Sequence, residues 1–174
     1  LPQPVYEPAM QTLLRWARET PDQPALVQGS LCWSYGQLGE RASDLAKTLL
    51  ALGCRRGDVV AVTGFRSPAL IAGMAAAMLS GGVLLTLDPA LPPLRQQTML
   101  REAKARWLLV FADRLPDDPP WSGTDLRVLL ADPALGTVSD APDAGDTSAI
   151  DLAAVELPAV DAGDPAYIFF TSGT

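Results

Sequence analysis

The sequence predicts an α/β fold, in which a layered, mostly parallel sheet is flanked by helices. Short apolar runs rich in β-branched residues alternate along the chain with helical segments of about ten residues or more, and such crossovers join parallel strands. The composition agrees with this class, because 48% of the 174 residues are hydrophobic and 19% are charged, as in ordinary globular domains.

The first predicted elements are a helix over residues 8–19 and a β-hairpin. The apolar runs of the hairpin, Ala25–Gln28 and Leu31–Ser34, are joined by Gly29-Ser30, a pair that favours a tight turn. A long amphipathic helix follows and ends at Gly53. Its apolar residues recur at steps of four and three, which defines one face of a helix: Leu38, Ala42, Leu45, Leu49 and Leu52.

Strands and helices alternate through the middle of the chain. A strand over Val59–Thr63 precedes a helix capped by Ser67-Pro68. Because this helix is apolar almost all round, we expect it to be packed on both sides. The remaining elements are expected as strands at Val83–Leu87, Trp107–Phe111 and Arg127–Ala131, with a helix from Pro92-Pro93 to about Ala105.

Charge divides the chain unevenly. All 13 Lys and Arg residues lie at or before Arg127, together with 12 of the 20 Asp and Glu residues, and the other 8 acidic residues follow it. Most of these 8 lie among Ala, Pro and Gly, a composition that buries little surface. We therefore expect an α/β portion over residues 1–131, an acidic Pro/Ala/Gly-rich surface loop over 132–164, and a final strand and loop over 165–174.

Composition also excludes several function classes. The sequence contains no histidine, which rules out a Ser-His-Asp triad and a His-ligated zinc site, and no metal ligands are predicted. A net charge of -7 argues against a nucleic-acid partner, and no apolar run is long enough to predict a membrane span. The opening LPQPVYEPAM lacks the features of a signal peptide. We therefore expect a cytoplasmic protein in which Cys32 and Cys54 are reduced, buried thiols.

The last residues of the sequence carry its clearest chemical signal. A five-residue apolar run over Ala166–Phe170 predicts a buried strand, and Thr171-Ser172-Gly173-Thr174 follows it directly. Glycine lets a backbone approach a ligand closely, backbone N–H groups bind phosphate oxygens, and hydroxyls add donors and a contact for Mg²⁺. This arrangement predicts a phosphate-binding loop.

The segment YIFFTSGT resembles the start of the phosphate-binding signature of the adenylate-forming superfamily, which includes nonribosomal peptide synthetase adenylation domains, acyl-CoA synthetases and luciferases. Three earlier segments are similar to other family motifs, in the family's order: Trp33–Leu38 to the first core motif of adenylation domains, Gly53–Val62 to the loop and strand after the first long helix, and Leu79–Pro89 with Pro92 to the second core motif. The chain thus looks most like the N-terminal portion of the large subdomain of a nonribosomal peptide synthetase adenylation domain.

The resemblance implies an activity for a domain that contains this segment. A carboxylic acid attacks the α-phosphorus of ATP, pyrophosphate leaves with Mg²⁺, and the acyl group of the acyl-adenylate passes to the phosphopantetheine thiol of a carrier protein. By position, Thr171, Ser172, Gly173 and Thr174 would contact the ATP phosphates and Mg²⁺. The family's catalytic lysine lies outside these residues, so the segment alone is expected to be inactive. Its implied partners are the remainder of the domain and the neighbouring synthetase domains.

Other functions stay open at this point. The second core motif departs from the family pattern at Ser80 and Leu84-Leu85-Thr86, which leaves amino, hydroxy, keto and aryl acids as candidate substrates. An acyl-CoA synthetase would use coenzyme A as the acceptor, and a degenerate or truncated adenylation domain would serve only as a scaffold. An unrelated nucleotide-binding module could use Gly64-Phe65-Arg66, although this segment lacks the G-x-G-x-x-G pattern.

Overall fold

A computed structural model describes residues 7–140, 147 and 150–171. Helices and strands alternate along most of this range. In chain order they are α1 (Ala9–Glu19), β1 (Pro24–Gln28), β2 (Leu31–Ser34), α2 (Tyr35–Ala51), β3 (Val59–Gly64), α3 (Pro68–Leu79), β4 (Val83–Leu87), α4 (Pro93–Glu102), β5 (Ala105–Phe111), β6 (Arg127–Ala131), β7 (Val138–Asp140), a 3-10 turn (Leu152–Ala154) and β8 (Tyr167–Ile168). None of the helices in the described ranges has the length and apolar character needed to cross a bilayer.

The strands form one main sheet and a separate hairpin. β1 and β2 pair as the predicted antiparallel hairpin, and the other six strands lie in the order β7-β6-β5-β3-β4-β8. Only the pairing of β6 with β7 is antiparallel within the described part of this sheet. The predicted α/β class with a mostly parallel sheet is therefore confirmed.

Each face of the sheet carries its own apolar core. Because side chains alternate along a strand, Val60 and Val62 of β3 face α2 and α3, whereas Ala61 faces α4. The α4 face also buries Met99 and Trp121. α3 is buried along most of its length, which confirms that it is packed on both sides.

Local capping signals set where α3 begins. The Ser67 hydroxyl accepts a hydrogen bond from the Leu70 N–H at 3.1 Å, and Pro68 occupies the first turn, where its missing N–H costs nothing. After the helix, Ser80 is fully buried and its hydroxyl donates to the carbonyl of Ala77 at 2.9 Å. Leu84 and Leu85 are core residues of β4. Ser80, Leu84 and Leu85, at which the second core motif departs from the family pattern, are thus packing residues.

The boundary between α4 and β5 differs from the prediction. α4 ends at Glu102 rather than near Ala105, and β5 begins at Ala105 rather than at Trp107. The cause is Lys104, which takes a left-handed φ of 52° and so turns the chain directly from helix into strand. Nothing in the residue type signals this conformation, since Gly and Asn are its usual occupants.

The first residues of the acidic segment, 132–140, form a turn and a short strand where the sequence predicts a surface loop. The Asp132 carboxylate accepts hydrogen bonds from the N–H groups of Ala134 and Leu135, at 2.8 and 2.7 Å. This turn reverses the chain so that β7 can pair with β6. A strand inside a region of low hydrophobicity could form because β6 already offers an edge to pair with.

The two cysteines lie in different environments. Cys54 is buried as predicted, with its Sγ 4.0 Å from the Ser80 hydroxyl. Cys32, predicted to be buried, is exposed, because the β1–β2 hairpin lies outside the main sheet and only Trp33 of β2 is buried in the core. Burial raises the pKa of the Cys54 thiol from its ordinary 9.0 to about 11.

We expect Cys54 to make the protein less stable at alkaline pH. Between 9.0 and about 11 the unfolded thiol loses its proton and the folded thiol keeps it, so the native state binds more protons and the free energy of unfolding falls as pH rises. The test is urea unfolding at about pH 8 and about pH 10. Between these pH values the free energy of unfolding should fall less for Cys54→Ala than for the parent protein. Cys32→Ala should retain the full fall, and an equal fall in all three proteins would contradict this role.

Candidate functional site

The functional loops meet at one edge of the sheet. Because β3, β4, β5 and β8 are parallel, the loops after them all leave from their carboxyl ends, where open α/β sheets bind ligands. These loops begin at Phe65, Asp88, Ala112 and Phe169. The amino end of α4 lies at the same edge, since this helix follows β4.

The predicted phosphate-binding segment starts at this edge. Thr171 lies three residues beyond the end of β8, in the position that the sequence analysis assigned to the start of the loop. Ser172, Gly173 and Thr174 lie outside the described residues. The contacts of all four residues with phosphate or Mg²⁺ therefore stay a prediction.

The strand that presents this segment is shorter and less buried than predicted. The expected five-residue buried strand over Ala166–Phe170 contains only the two-residue β8, which pairs with β4 at the edge of the sheet. Ile168 and Phe170 pack against the α4-side core, but Tyr167 and Phe169 are exposed. A run of apolar residues cannot by itself distinguish a central strand from an edge strand with one uncovered face.

Arg95, in the first turn of α4, contacts the start of the predicted loop. Its Nη2 donates to the carbonyl oxygen of Thr171 at 3.5 Å, and its guanidinium carbon lies 6.0 Å from the centre of the Phe170 ring. The contact places a positive charge beside the segment that we predict to bind phosphate. Sequence reasoning did not identify Arg95, because the two partners are 76 positions apart.

A crevice of about 730 Å³ opens at the same edge, between the loops after β3 and β5. It lies at the topological switch point, because the chain passes from β3 to β4 on one side and then crosses to β5 on the other. Its walls are largely apolar and include Phe65, Leu91, Phe111, Leu115 and Trp121. The Gly64-Phe65-Arg66 segment, considered above as an alternative nucleotide site, forms part of this wall.

Two buried polar residues line this crevice. Gln96 is 5% exposed and its Nε2 donates to the carbonyl oxygens of Pro89 at 3.4 Å and Leu91 at 2.8 Å, which ties α4 to the loop after β4. Thr63 is 4% exposed, and within the described residues its Oγ1 has no hydrogen-bond partner.

A cluster of charged residues holds the chain just before β8. The Arg56 Nη2 lies 2.7 Å from both carboxylate oxygens of Asp164 and 2.8 Å from Oδ2 of Asp161. The pKa of Asp164 lies below its ordinary value, mainly because its carboxylate accepts hydrogen bonds from Arg56. This cluster lies at the amino end of β8, opposite to Thr171, and sequence reasoning missed it.

The fold and the residues at this edge together define a class of protein: an open, mostly parallel α/β domain with Thr171, the first residue of a Thr-Ser-Gly-Thr sequence, at the carboxyl ends of its strands. The family model described as "AMP-binding enzyme" matches residues 13–174. The chain therefore belongs to the AMP-binding enzyme family, the adenylate-forming group that its motifs resemble.

Similar proteins include peptide synthetases. The chain is 31% identical over 158 residues to bacitracin synthase 2 of Bacillus licheniformis, covering 91% of this chain and 5% of that protein. Among solved structures, the nonribosomal peptide synthetase FmoA3 (S1046A) in its AMPPNP-bound form is 31% identical with a TM-score of 0.73, covering 94% of this chain and 16% of that one. Klebsiella oxytoca NpsA in complex with 3-hydroxyanthranilyl-AMSN is 27% identical with a TM-score of 0.71, covering 94% of this chain and 30% of that one.

These relatives are much longer than the chain, which spans 5% of bacitracin synthase 2 and less than a third of either solved structure. The similarity thus confirms the adenylate-forming fold and family for the described segment.

Proposed function

We propose that this segment forms part of an adenylation domain that activates a carboxylic acid with ATP. The observation that carries the proposal is the position of Thr171: the family's Thr-Ser-Gly-Thr segment starts at the carboxyl edge of the sheet, beside Arg95 and the amino end of α4. Family membership over residues 13–174 and the AMPPNP bound by the similar FmoA3 structure support ATP as the nucleotide.

In this proposal the segment stabilises charge on the phosphates. The acid's carboxylate oxygen forms a bond to the α-phosphorus, and the bond from that phosphorus to the pyrophosphate oxygen breaks. N–H and hydroxyl donors of Thr171, Ser172, Gly173 and Thr174 hold the leaving pyrophosphate, whose charge grows in the transition state. Arg95 adds a positive charge near the start of the loop.

Two further groups belong to the proposed reaction. Mg²⁺ accompanies the triphosphate and neutralises part of its charge, with the loop hydroxyls as its candidate contacts. The described residues contain no cluster of three or more His, Cys, Asp or Glu side chains that could hold a metal ion. The phosphopantetheine thiol of a carrier protein then attacks the acyl carbon of the acyl-adenylate; a thioester bond forms, the bond from the acyl carbon to the phosphate oxygen breaks, and AMP and the thiol proton leave. The similarity to peptide synthetases favours a carrier protein over free coenzyme A as the acceptor.

The proposed substrate belongs to one of the four classes that the sequence leaves open: amino, hydroxy, keto and aryl acids. An acyl-CoA synthetase and a scaffold without activity are the competing functions. The first differs in the acceptor thiol and the second lacks ATP-dependent chemistry altogether, so one exchange assay followed by an acceptor assay separates all three.

The test is acid-dependent ATP–pyrophosphate exchange in a polypeptide that joins this segment to the remainder of an adenylation domain. Hydroxyl donors to a charged group are each worth about 1.5–3 kcal/mol. We therefore expect Thr171→Val and Thr174→Val each to lower kcat/KM for ATP by roughly 10- to 150-fold.

The matched control is Thr20→Val, which removes the same hydroxyl from the end of α1, where within the described residues it donates to the carbonyl oxygen of Trp16. This variant should keep the parent kcat/KM. An exchange rate of zero with all four acid classes would favour the scaffold, and full activity in both loop variants would contradict the assigned phosphate contacts.

A further inference from the structure

The strand that precedes the predicted phosphate loop makes only a short backbone ladder with its neighbour in the described part of the sheet. β8 contains two residues, and its ladder aligns Leu84 with Tyr167 and Leu85 with Ile168. One more backbone bond joins the Leu84 N–H to the carbonyl of Ala166 at 2.9 Å. Such a short ladder specifies its register weakly.

Register nevertheless decides where the loop begins. A slip of one residue along β4 would turn Ile168 and Phe170 away from the α4-side core and expose them. The same slip would move Thr171 by about 3.3 Å along the strand direction. A shift of this size is longer than a hydrogen bond and would break any contact of Thr171 with a bound phosphate. Packing of Ile168 and Phe170 opposes a slip of one residue. A slip of two residues would keep the same face inward, so a contact that fixes the position along β4 is also needed.

Arg56 supplies that contact from the loop between α2 and β3. Its guanidinium bridges two carboxylates, with the distances given above, and its Nε also approaches Oδ1 of Asp164 at 3.2 Å. Charge-assisted, forked bonds of this kind fix orientation as well as distance. Asp164 precedes by only two residues the Ala166 carbonyl at which the ladder with β4 begins.

Both sides of this contact are themselves held by hydrogen bonds. On one side, the Gly57 N–H donates to the carbonyl of Gly81 at 2.8 Å, which joins the Arg56 loop to the turn before β4. On the other side, the Asp161 N–H donates to the Asp164 carboxylate at 2.9 Å and closes a turn over residues 161–164. Arg56 thus connects two hydrogen-bonded segments. One is the loop that is joined to the turn before β4, and the other is the turn that precedes β8.

We propose that Arg56 is a positioning residue for the predicted phosphate-binding segment: through Asp161 and Asp164 it sets the register of β8 on β4, and so the position of Thr171. This role rests on the proposed function. Arg56 lies at the amino end of β8, opposite to Thr171, so it would act through the strand.

The first test is hydrogen–deuterium exchange of the 174-residue chain without nucleotide. Arg56→Gln should speed amide exchange in residues 165–171 by about fivefold, the usual scale for a partly exposed ion-pair network, and leave β5 unchanged. Arg106→Gln is the matched control. Arg106 is an exposed arginine of β5 that pairs at 2.9 Å with Asp58, in the loop that also holds Arg56, and among the described residues it has no ion pair with the segment before β8. Exchange in 165–171 at the parent rate, or faster exchange throughout the chain, would overturn the proposal.

The second test is rescue by a conservative variant. Arg56→Lys keeps the positive charge beside Asp161 and Asp164 but loses the forked geometry, so exchange in 165–171 should fall between the rates of the parent and of Arg56→Gln. In the polypeptide that contains the rest of the domain, Arg56→Gln should raise KM for ATP severalfold, and Arg56→Lys should raise it less. An unchanged KM in Arg56→Gln, or an Arg56→Lys variant that exchanges as fast as Arg56→Gln, would overturn the positioning role.

The two proposals can fail separately. Exchange of residues 165–171 reports on Arg56 without any nucleotide, whereas Thr171→Val and Thr174→Val test phosphate binding with the charge cluster intact. Loss of protection in Arg56→Gln combined with normal activity in both loop variants would contradict the phosphate site and leave the effect on β8 standing.

Discussion

Phe111→Ala should lower the free energy of unfolding by about 3–5 kcal/mol, the range for truncating a fully buried phenylalanine. Phe111 is 1% exposed at the carboxyl end of β5. Its ring fills the space that α3 leaves open at Gly73, and the backbone of Gly64 lies against its Cβ and carbonyl oxygen. Truncation would leave a cavity under α3 that close packing on both sides of the helix prevents from collapsing.

Urea unfolding followed by circular dichroism measures this loss directly. The control is Phe169→Ala, which removes the same side chain from a position that is 72% exposed beside β8. Phe169→Ala should change the free energy of unfolding by less than about 0.5 kcal/mol. Equal effects of the two variants would show that the α3 face is not packed against Phe111.

Gly73→Val is expected to destabilise the protein by about 3 kcal/mol through overpacking. A Cβ on Gly73 would lie 2.5 Å from Cζ of the Phe111 ring and closer still to its Cε2, well inside contact distance. The ring is 1% exposed and is packed between α3 and the sheet, so the added side chain can be accommodated only if the ring or the helix shifts.

A double-mutant cycle isolates this clash. Phe111→Leu removes the far ring atoms that valine would meet, so Gly73→Val combined with Phe111→Leu should be destabilised by less than the sum of the two single changes. The control is Gly163→Val, at a position with nothing within 4 Å of an added Cβ, for which a change below about 0.5 kcal/mol is expected. Simple additivity would contradict direct contact between Gly73 and Phe111.

Much of the architecture follows from local sequence pattern. The four- and three-residue spacing from Leu38 to Leu52 specifies α2, because a helix returns to the same face every 3.6 residues. Ser67-Pro68 specifies the start of α3, because it satisfies or removes donors that the first turn leaves unpaired. The apolar runs at β3, β4, β5 and β6 specify strands, and the helices between β3, β4 and β5 make their pairings parallel. The Thr-Ser-Gly-Thr segment indicates the phosphate site for the same reason, since its chemistry lies in consecutive residues.

The tertiary structure alone decided which apolar faces are covered and which distant residues meet. Cys32 and Tyr167 lie in strands with apolar neighbours, yet both are exposed, because exposure depends on whether another layer packs on that face. Arg56 reaches Asp164 across 108 positions, and Arg95 reaches Thr171 across 76. Contacts between residues this far apart follow from strand order and register, so the sequence pattern predicts a phosphate segment, whereas the tertiary structure decides which distant residues lie beside it.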